Sequence, residues 1–176
     1  MMQWSEFFDW LMRWEGKVVH TDPRDPGGQT AWGISRRYHP LWAGWELVDR
    51  GVTEGPEYED LVSRFYHDTY FQLWEDAPPR VAPVLVDTAV NMGSVYAVQL
   101  MQHGMNRLAG SAYIDVDGKW GPKTSYALKH ADHDGLAFAM CALRMAEYNR
   151  RARKDKDKQV FLQGWLNRVS DLMGVI

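Results

Sequence analysis

The stretch W-E-G-K-V-V-H-T-D-P-R-D-P-G-G-Q-T-A-W-G-I, Trp14 to Ile34, decides how the chain is read. Upstream of it, Trp4, Phe7, Phe8, Leu11, Met12 and Trp14 recur at three- and four-residue spacing, the period of a helix with one buried face. Ser5 is the expected N-cap, and Gly16 lies just past the C-terminal end. Glu15 therefore falls in the last turn. A carboxylate there faces the negative end of the helix dipole, and desolvation beside Trp14 adds to the effect, so its charged form is disfavoured. A carboxyl group held protonated near neutral pH is what a general acid requires. A glutamate at a buried helix end otherwise needs some justification, because burying it costs free energy.

Downstream, Asp22-Pro23, Asp25-Pro26 and Gly27-Gly28 break regular structure, which predicts a loop or short hairpin over Lys17 to Gly33, with Val18 and Val19 able to start a strand. The glycines let the backbone turn and approach a neighbouring segment closely, which sets Asp25 and Thr30 back toward Glu15. Asp25 is the first candidate for an anionic partner and Asp22 competes with it. The plain reading of either is an aspartate before proline that caps its own turn.

Further along, Ser35 to Gly51 carries Tyr38, Trp42 and Trp45 between Pro40 and Gly44, and short helical turns are expected there. Thr53 to Trp74 predicts a helix capped by Thr53, with Pro56 in its first turn, acidic Glu57, Glu59 and Asp60 near its N-terminus, and a stripe of Tyr58, Leu61, Val62, Phe65, Tyr66 and Leu73. Val81 to Met92 predicts a central helix, apolar except for Asp87, Thr88 and Asn91. Asp87 and Asn91 lie one turn apart, so this buried face needs polar partners. Ser94 should cap a helix to Leu108. Asp115-Val116-Asp117-Gly118 has the opening of a calcium loop but lacks the later ligands, so a turn is expected. Helices follow over Pro122 to His130, from a cap at Asp134 through Tyr148, and through Phe161, Trp165, Val169 and Leu172. Between the last two, the mixed charges of Arg150 to Lys158 read as a solvated connection. Strand signals are nearly absent, so the fold class is mainly α, with at most a small β-hairpin near the Glu15 loop.

A chain of 176 residues supports one compact body. Its 45% hydrophobic and 24% charged residues exclude a disordered or collagen-like polymer, and a net charge of -3 gives no sign of nucleic-acid binding. Cys141 is the single cysteine and lies in the apolar run A-F-A-M-C-A-L, so it reads as a buried inert thiol. No stretch is long enough to span a bilayer and no signal peptide is evident, which predicts synthesis in the cytoplasm without stable membrane insertion. The six histidines lack H-E-x-x-H spacing; no metal and no cofactor are expected, which weakens a metallopeptidase reading.

The run E-G…D-P-x-D-P-G-G-x-T-x-x-G-I resembles the glycoside hydrolase family 108 N-acetylmuramidases, which occur as phage endolysins and bacterial lysozyme-like or secretion-assisting proteins. Three further segments resemble that family's central helices and its C-terminal peptidoglycan-binding segment: F-Y-H-D-T-Y-F at Phe65 to Phe71, V-D-T-A-V-N-M-G at Val86 to Gly93, and V-D-G-K-W-G-P-K-T at Val116 to Thr124. F-L-Q-G-W-L-N-R-V at Phe161 to Val169 is similar to its last helix. Lys17 departs from the pattern, standing where the family has a second glycine. The resemblance implies a lysozyme-like helical body, with a catalytic region over 1-93 and a peptidoglycan-binding-like helical region over 94-176 packed with it. It also implies cleavage of the β-1,4 bond between N-acetylmuramic acid and N-acetylglucosamine. Glu15 matches the catalytic glutamate.

In phage lysozymes with a Glu, Asp and Thr in that order, the Thr sits on a small hairpin, and Glu15, Asp25 and Thr30 follow the same order. This implies that Glu15 is the proton donor, that Asp25 stabilises the anomeric carbon or orients water, and that Thr30 holds that water. Asp22, Trp32, Tyr66, Tyr70 and Asn91 are expected to bind substrate, the rings under sugar faces and the Asn91 amide on an N-acetyl group. The implied partner is the peptidoglycan glycan strand, met by a monomer after a holin or a secretion apparatus releases it to the wall. A lytic transglycosylase, and a non-catalytic wall-binding or secretion-assisting protein, are the rival readings.

Overall fold

A computed structural model of the chain describes residues 3–21 and 28–176. Asp22 and Asp25 lie outside the described residues. The fold is mainly α, as expected: among the described residues there are eight α-helices and one three-stranded antiparallel sheet. The internal contacts divide the chain into two units, one running to Leu73 and the other from Trp74 to Ile176.

The first unit begins with α1, Trp4–Glu15, which buries Phe7, Phe8, Trp10, Leu11 and Met12. Its N-cap is Gln3 rather than Ser5; the Gln3 backbone N–H donates to the Glu6 carboxylate at 3.1 Å, so Glu6 closes the first turn from inside the helix. Strands β1 (Val19–Thr21), β2 (Gln29–Ala31) and β3 (Ile34–Ser35) follow, with β2 in the middle. Ala31 pairs with both Val19 and Ile34, and Thr30 with both His20 and Ser35. Since strand side chains alternate, one face carries the buried Ala31 and Ile34 and the other carries Thr30, His20 and Ser35.

Helix α2, Gly44–Asp49, is fastened to the sheet by Arg36, whose guanidinium makes a two-pronged ion pair with Asp49 at 2.6 and 2.7 Å, donates to Gln29 at 2.7 Å and lies over the Trp45 ring. The helix expected over Thr53 to Trp74 is shorter and interrupted. Helix α3 spans Pro56–Tyr66, with Gly55 at φ +98 as its N-cap instead of Thr53. It then widens into a π-helical turn, His67–Phe71, and tightens into a 3-10 turn, Gln72–Trp74. The aromatic residues of α1 meet this segment. Trp4 lies 5.0 Å from Phe71 and 5.3 Å from His67, and its indole N–H donates to Ser63 at 3.0 Å.

The second unit packs α4 (Ala82–Met92), α5 (Ser94–Ala109), α7 (His133–Lys154) and α8 (Gln159–Met173) together, with α6 (Pro122–Lys129) against α5. Two expected caps are displaced. Gly93 at φ +92 precedes α5 in place of Ser94, and Asp132, not Asp134, caps α7 by accepting the Gly135 N–H at 3.2 Å. The charged run is not a loose connection throughout. α7 continues to Lys154, with Arg150 and Arg151 paired to Glu147, and a single 3-10 turn, Lys156–Lys158, leads into α8.

The polar face of α4 has its partners inside this bundle. Asp87, fully buried, is bound on one oxygen by Arg168 (2.9 and 2.7 Å) and on the other by Arg144, itself fully buried. One carboxylate thereby ties α4 to α7 and α8. Burial alone would raise the Asp87 carboxyl, but the two guanidiniums outweigh it and hold the group below its ordinary value.

The turn reading of Asp115 to Gly118 agrees with the structure. The Gln102 amide donates to Asp117 at 2.9 Å and accepts the Gly118 N–H at 2.9 Å, while the Lys119 N–H closes on Asp117 at 2.9 Å. Cys141 is buried and its thiol is pushed up to about 12 by desolvation, which removes the reactive thiolate. No helix among the described residues is long and apolar enough to cross a membrane.

Candidate active site

Glu15 is the last residue of α1. Gly16, at φ +79, turns the chain away and returns its N–H to Met12 at 3.0 Å. The half-buried Glu15 side chain is directed at the turn between β2 and β3. That turn has two central residues, Trp32 and Gly33, both at positive φ (+47 and +79), as a two-residue hairpin of the primed type demands. For glycine this costs little; for tryptophan it is a strained conformation that its surroundings must enforce.

Four contacts enforce it. The Trp32 N–H donates to Val18 at 2.9 Å, its carbonyl accepts the Tyr66 hydroxyl at 2.7 Å, its ring meets Tyr58 edge to face at 5.5 Å, and the Lys17 ammonium lies 5.0 Å over the ring. Lys17, the departure from the family pattern, thus has a definite place against the hairpin.

Gly33 is where the site is tightest. A Cβ built there would fall 2.7 Å from Glu15 Oε2 and 3.1 Å from Glu15 Cβ, and would collide with the Tyr66 hydroxyl. The absence of a side chain at 33 is therefore the space that the Glu15 carboxyl and the Tyr66 hydroxyl approach. Gly33→Ala should cost about 1–2 kcal/mol of stability from the positive φ alone. Because it also displaces the carboxyl, any activity that depends on Glu15 should fall by up to about 100-fold. An activity loss much larger than the shift in unfolding midpoint is the expected pattern, and unchanged activity would show that Glu15 is not seated there for catalysis.

Tyr70 completes the group. It stands on the π-helical turn, a form of helix frequent at functional sites, and its ring lies 6.0 Å from that of Tyr66. Its phenol is raised above the ordinary value, first by burial and then by the charge of Glu15, which keeps it a neutral hydrogen-bond donor. Glu15, Trp32, Tyr66 and Tyr70 are thus brought into one neighbourhood. Trp32 and Tyr66 are each only 2% exposed, so their rings are built into the core and do not offer a face to a sugar. That corrects the expectation of sugar stacking for these two. Their part is to hold the hairpin under Glu15, whereas Tyr70 is only partly buried. Thr30 lies on the outer face of the sheet with His20 and Ser35.

Asn91 belongs to the other unit, where it is exposed at the end of α4. Arg144 Nε, which can only donate, bonds the Tyr148 hydroxyl at 2.9 Å; that hydroxyl in turn donates to Asn91 Oδ1 at 2.5 Å. The chain of donors orients the amide, oxygen inward, and leaves its NH2 to donate outward. Sequence reading noted Lys17 only as a departure from the family pattern and missed the roles of Gly33 and of the Arg144–Tyr148 support. Of these only Gly33 had a local signal, a glycine directly following the bulky Trp32.

Two family models match the chain: glycosyl hydrolase 108 over residues 8–93 and a predicted peptidoglycan domain over residues 96–170. None of the curated proteins compared with it matches. Among solved structures, that of Brucella abortus SagA is similar, with a TM-score of 0.68 at 22% identity over 97% of this chain and 91% of that one. At that identity the likeness speaks for the fold.

Proposed function

Because residues 8–93 match the glycosyl hydrolase 108 family and residues 96–170 a predicted peptidoglycan domain, we propose that the chain is an N-acetylmuramidase in which Glu15 protonates the departing glycosidic oxygen. The two matched regions together support peptidoglycan hydrolysis. The observation that supports it most is the seat of Glu15, a carboxyl at a helix end held over a glycine that has room for nothing else.

The chemistry runs as for other glycosidases. Glu15 gives its proton to the oxygen linking N-acetylmuramic acid to N-acetylglucosamine as positive charge grows on the anomeric carbon. Asp25 or, in its place, Asp22 balances that charge or orients water, and Thr30 holds the water. Tyr70, a neutral donor beside Glu15, steadies the carboxylate left after proton transfer. The outward NH2 of Asn91 suits an acetamido oxygen. A monomeric phage endolysin released by a holin or a secretion apparatus is the biological setting that the family resemblance favours.

Mass spectrometry of the products released from purified wall tests the reaction. Hydrolysis leaves N-acetylmuramic acid with a reducing end. A 1,6-anhydro end would instead mean that the sugar's own hydroxyl took the place of water, and the enzyme would be a lytic transglycosylase. The anomer formed first distinguishes a water-filled gap of about 6.5–9.5 Å between the two carboxyl groups from a covalent route at about 5 Å.

A further inference from the structure

The second unit contains a cavity that takes no part in the chemistry above. It has a volume of about 570 Å³, within the usual range for small-ligand sites. One wall is the segment carrying Tyr113, Ile114 and Asp115; the other is the first part of α6, with Lys123 and Tyr126. Tyr113 and Tyr126 are 50% and 63% exposed, large rings left open on a loop and a short helix.

The loop wall is fixed. The Asn106 side chain donates to the Ile114 carbonyl at 2.8 Å and accepts the Ile114 N–H at 2.9 Å, a reciprocal pair that mimics a strand contact. One turn earlier on α5, buried Gln102 holds Asp117, Gly118 and Thr124. Two amides of one helix therefore set the geometry of the whole 114–124 segment, the kind of advance ordering that lowers the entropy cost of binding. Asp115 and Lys123, both exposed, face the cavity with opposite charges, and neither is drawn into an ion pair among the described residues.

We propose that this cavity receives the stem peptide of peptidoglycan, not its glycan. The argument is one of charge. Once its lactyl carboxyl is joined to the peptide, the N-acetylated glycan strand has no ionised group, and a site for it would have no use for a cation and an anion together. A stem peptide that ends in a diamino acid carries an ammonium and carboxylates at that end and a further carboxylate on its γ-linked glutamate, with the alanine methyl and the side-chain methylenes as its apolar part. Lys123 meets a carboxylate, Asp115 meets the ammonium, and the two tyrosine rings cover the apolar part. This inference rests on the reading of the C-terminal region as a peptidoglycan binder, and it is independent of Glu15.

The test uses the full chain and a peptide ligand that a glycosidase cannot cut. The tripeptide L-alanyl-γ-D-glutamyl-meso-diaminopimelate is titrated into isotope-labelled protein and backbone amide shifts are followed, with an N-acetylglucosamine tetramer as the glycan probe. The peptide should move the amides of residues 113–115 and 123–126, and should bind about five- to tenfold more weakly to Lys123→Glu, less tightly at high salt, and normally to Lys123→Arg. Tyr126→Ala should also weaken it, and the unfolding midpoints of these surface variants should match the parent. Peptide shifts elsewhere, Lys123→Glu binding as tightly as the parent, or the glycan tetramer occupying the cavity in preference would each overturn the proposal. Persistence of wall lysis in Glu15→Gln would end the acid assignment and leave these titrations untouched, so the two readings fail separately.

Discussion

Glu15→Gln should reduce hydrolysis of purified wall by about 10²–10⁴-fold, the range that positioned proton transfer contributes. Glutamine keeps the length and shape of the side chain at the end of α1 and still fits over Gly33, but it has no proton to give to the departing oxygen. Three measurements separate loss of chemistry from loss of structure: dye release from labelled wall, the denaturant midpoint, and sedimentation with insoluble wall. The first should collapse while the other two hold. Glu15→Asp retains the acid but draws it back by one methylene from the hairpin; it should lose activity as well, because a donor displaced by about 1 Å forfeits up to about 100-fold. Full activity in the glutamine variant would remove Glu15 from the reaction.

Asp87→Ala should destabilise the second unit by about 3–5 kcal/mol, the usual cost of removing one partner from a buried ion pair. The reason is what remains: Arg144, fully buried, and Arg168, 5% exposed, would face each other with no anion between them. Asp87→Asn restores the shape and one acceptor and should recover only part of the loss. The same site sets a pH dependence. The folded carboxyl lies below its ordinary value, so its contribution is fully present above the unfolded value of about 3.9 and is lost as pH falls through the lower folded value. Denaturant midpoints of parent and Asp87→Ala should therefore be far apart at neutral pH and converge in strong acid. A constant gap would show that the carboxylate's charge is not what holds the three helices.

The features legible beforehand were those written in local spacing. The apolar period of α1 and the glycine after it located Glu15, and the polar pair Asp87 and Asn91 on an apolar helix announced buried partners. The partners themselves were hidden because Arg144 and Arg168 lie 57 and 81 residues away and look like ordinary helix arginines until the chain is folded. The hairpin at Trp32-Gly33 was hidden for a related reason. Its first residue is not one that prefers positive φ, and the contacts from Val18, Tyr66, Tyr58 and Lys17 override that preference.

In the same way, nothing in F-Y-H-D-T-Y-F breaks a helix, yet the packing of Trp4 against His67 and Phe71 accompanies a widened turn that carries Tyr70. The displaced caps at Gln3, Gly55, Gly93 and Asp132 have a simpler cause. Several residues near each helix start could serve, and differences of about 1 kcal/mol choose among them.

The carboxylate of Asp87 has a bearing on how such a protein can be dissected. Asp87 and Asn91 fall in the stretch matched by the hydrolase family, whereas Arg144, Tyr148 and Arg168 fall in the stretch matched by the peptidoglycan domain. The boundary between the two matched regions therefore runs through a single folded core and divides α4 from the helices whose arginines neutralise Asp87. A fragment cut at residue 93 would leave Asp87 on one piece without its two arginines and take that carboxylate away from Arg144 and Arg168 on the other. Neither piece would be a module that could be transplanted, and a chimera meant to exchange wall specificity would have to carry α4 along with the helices that follow it.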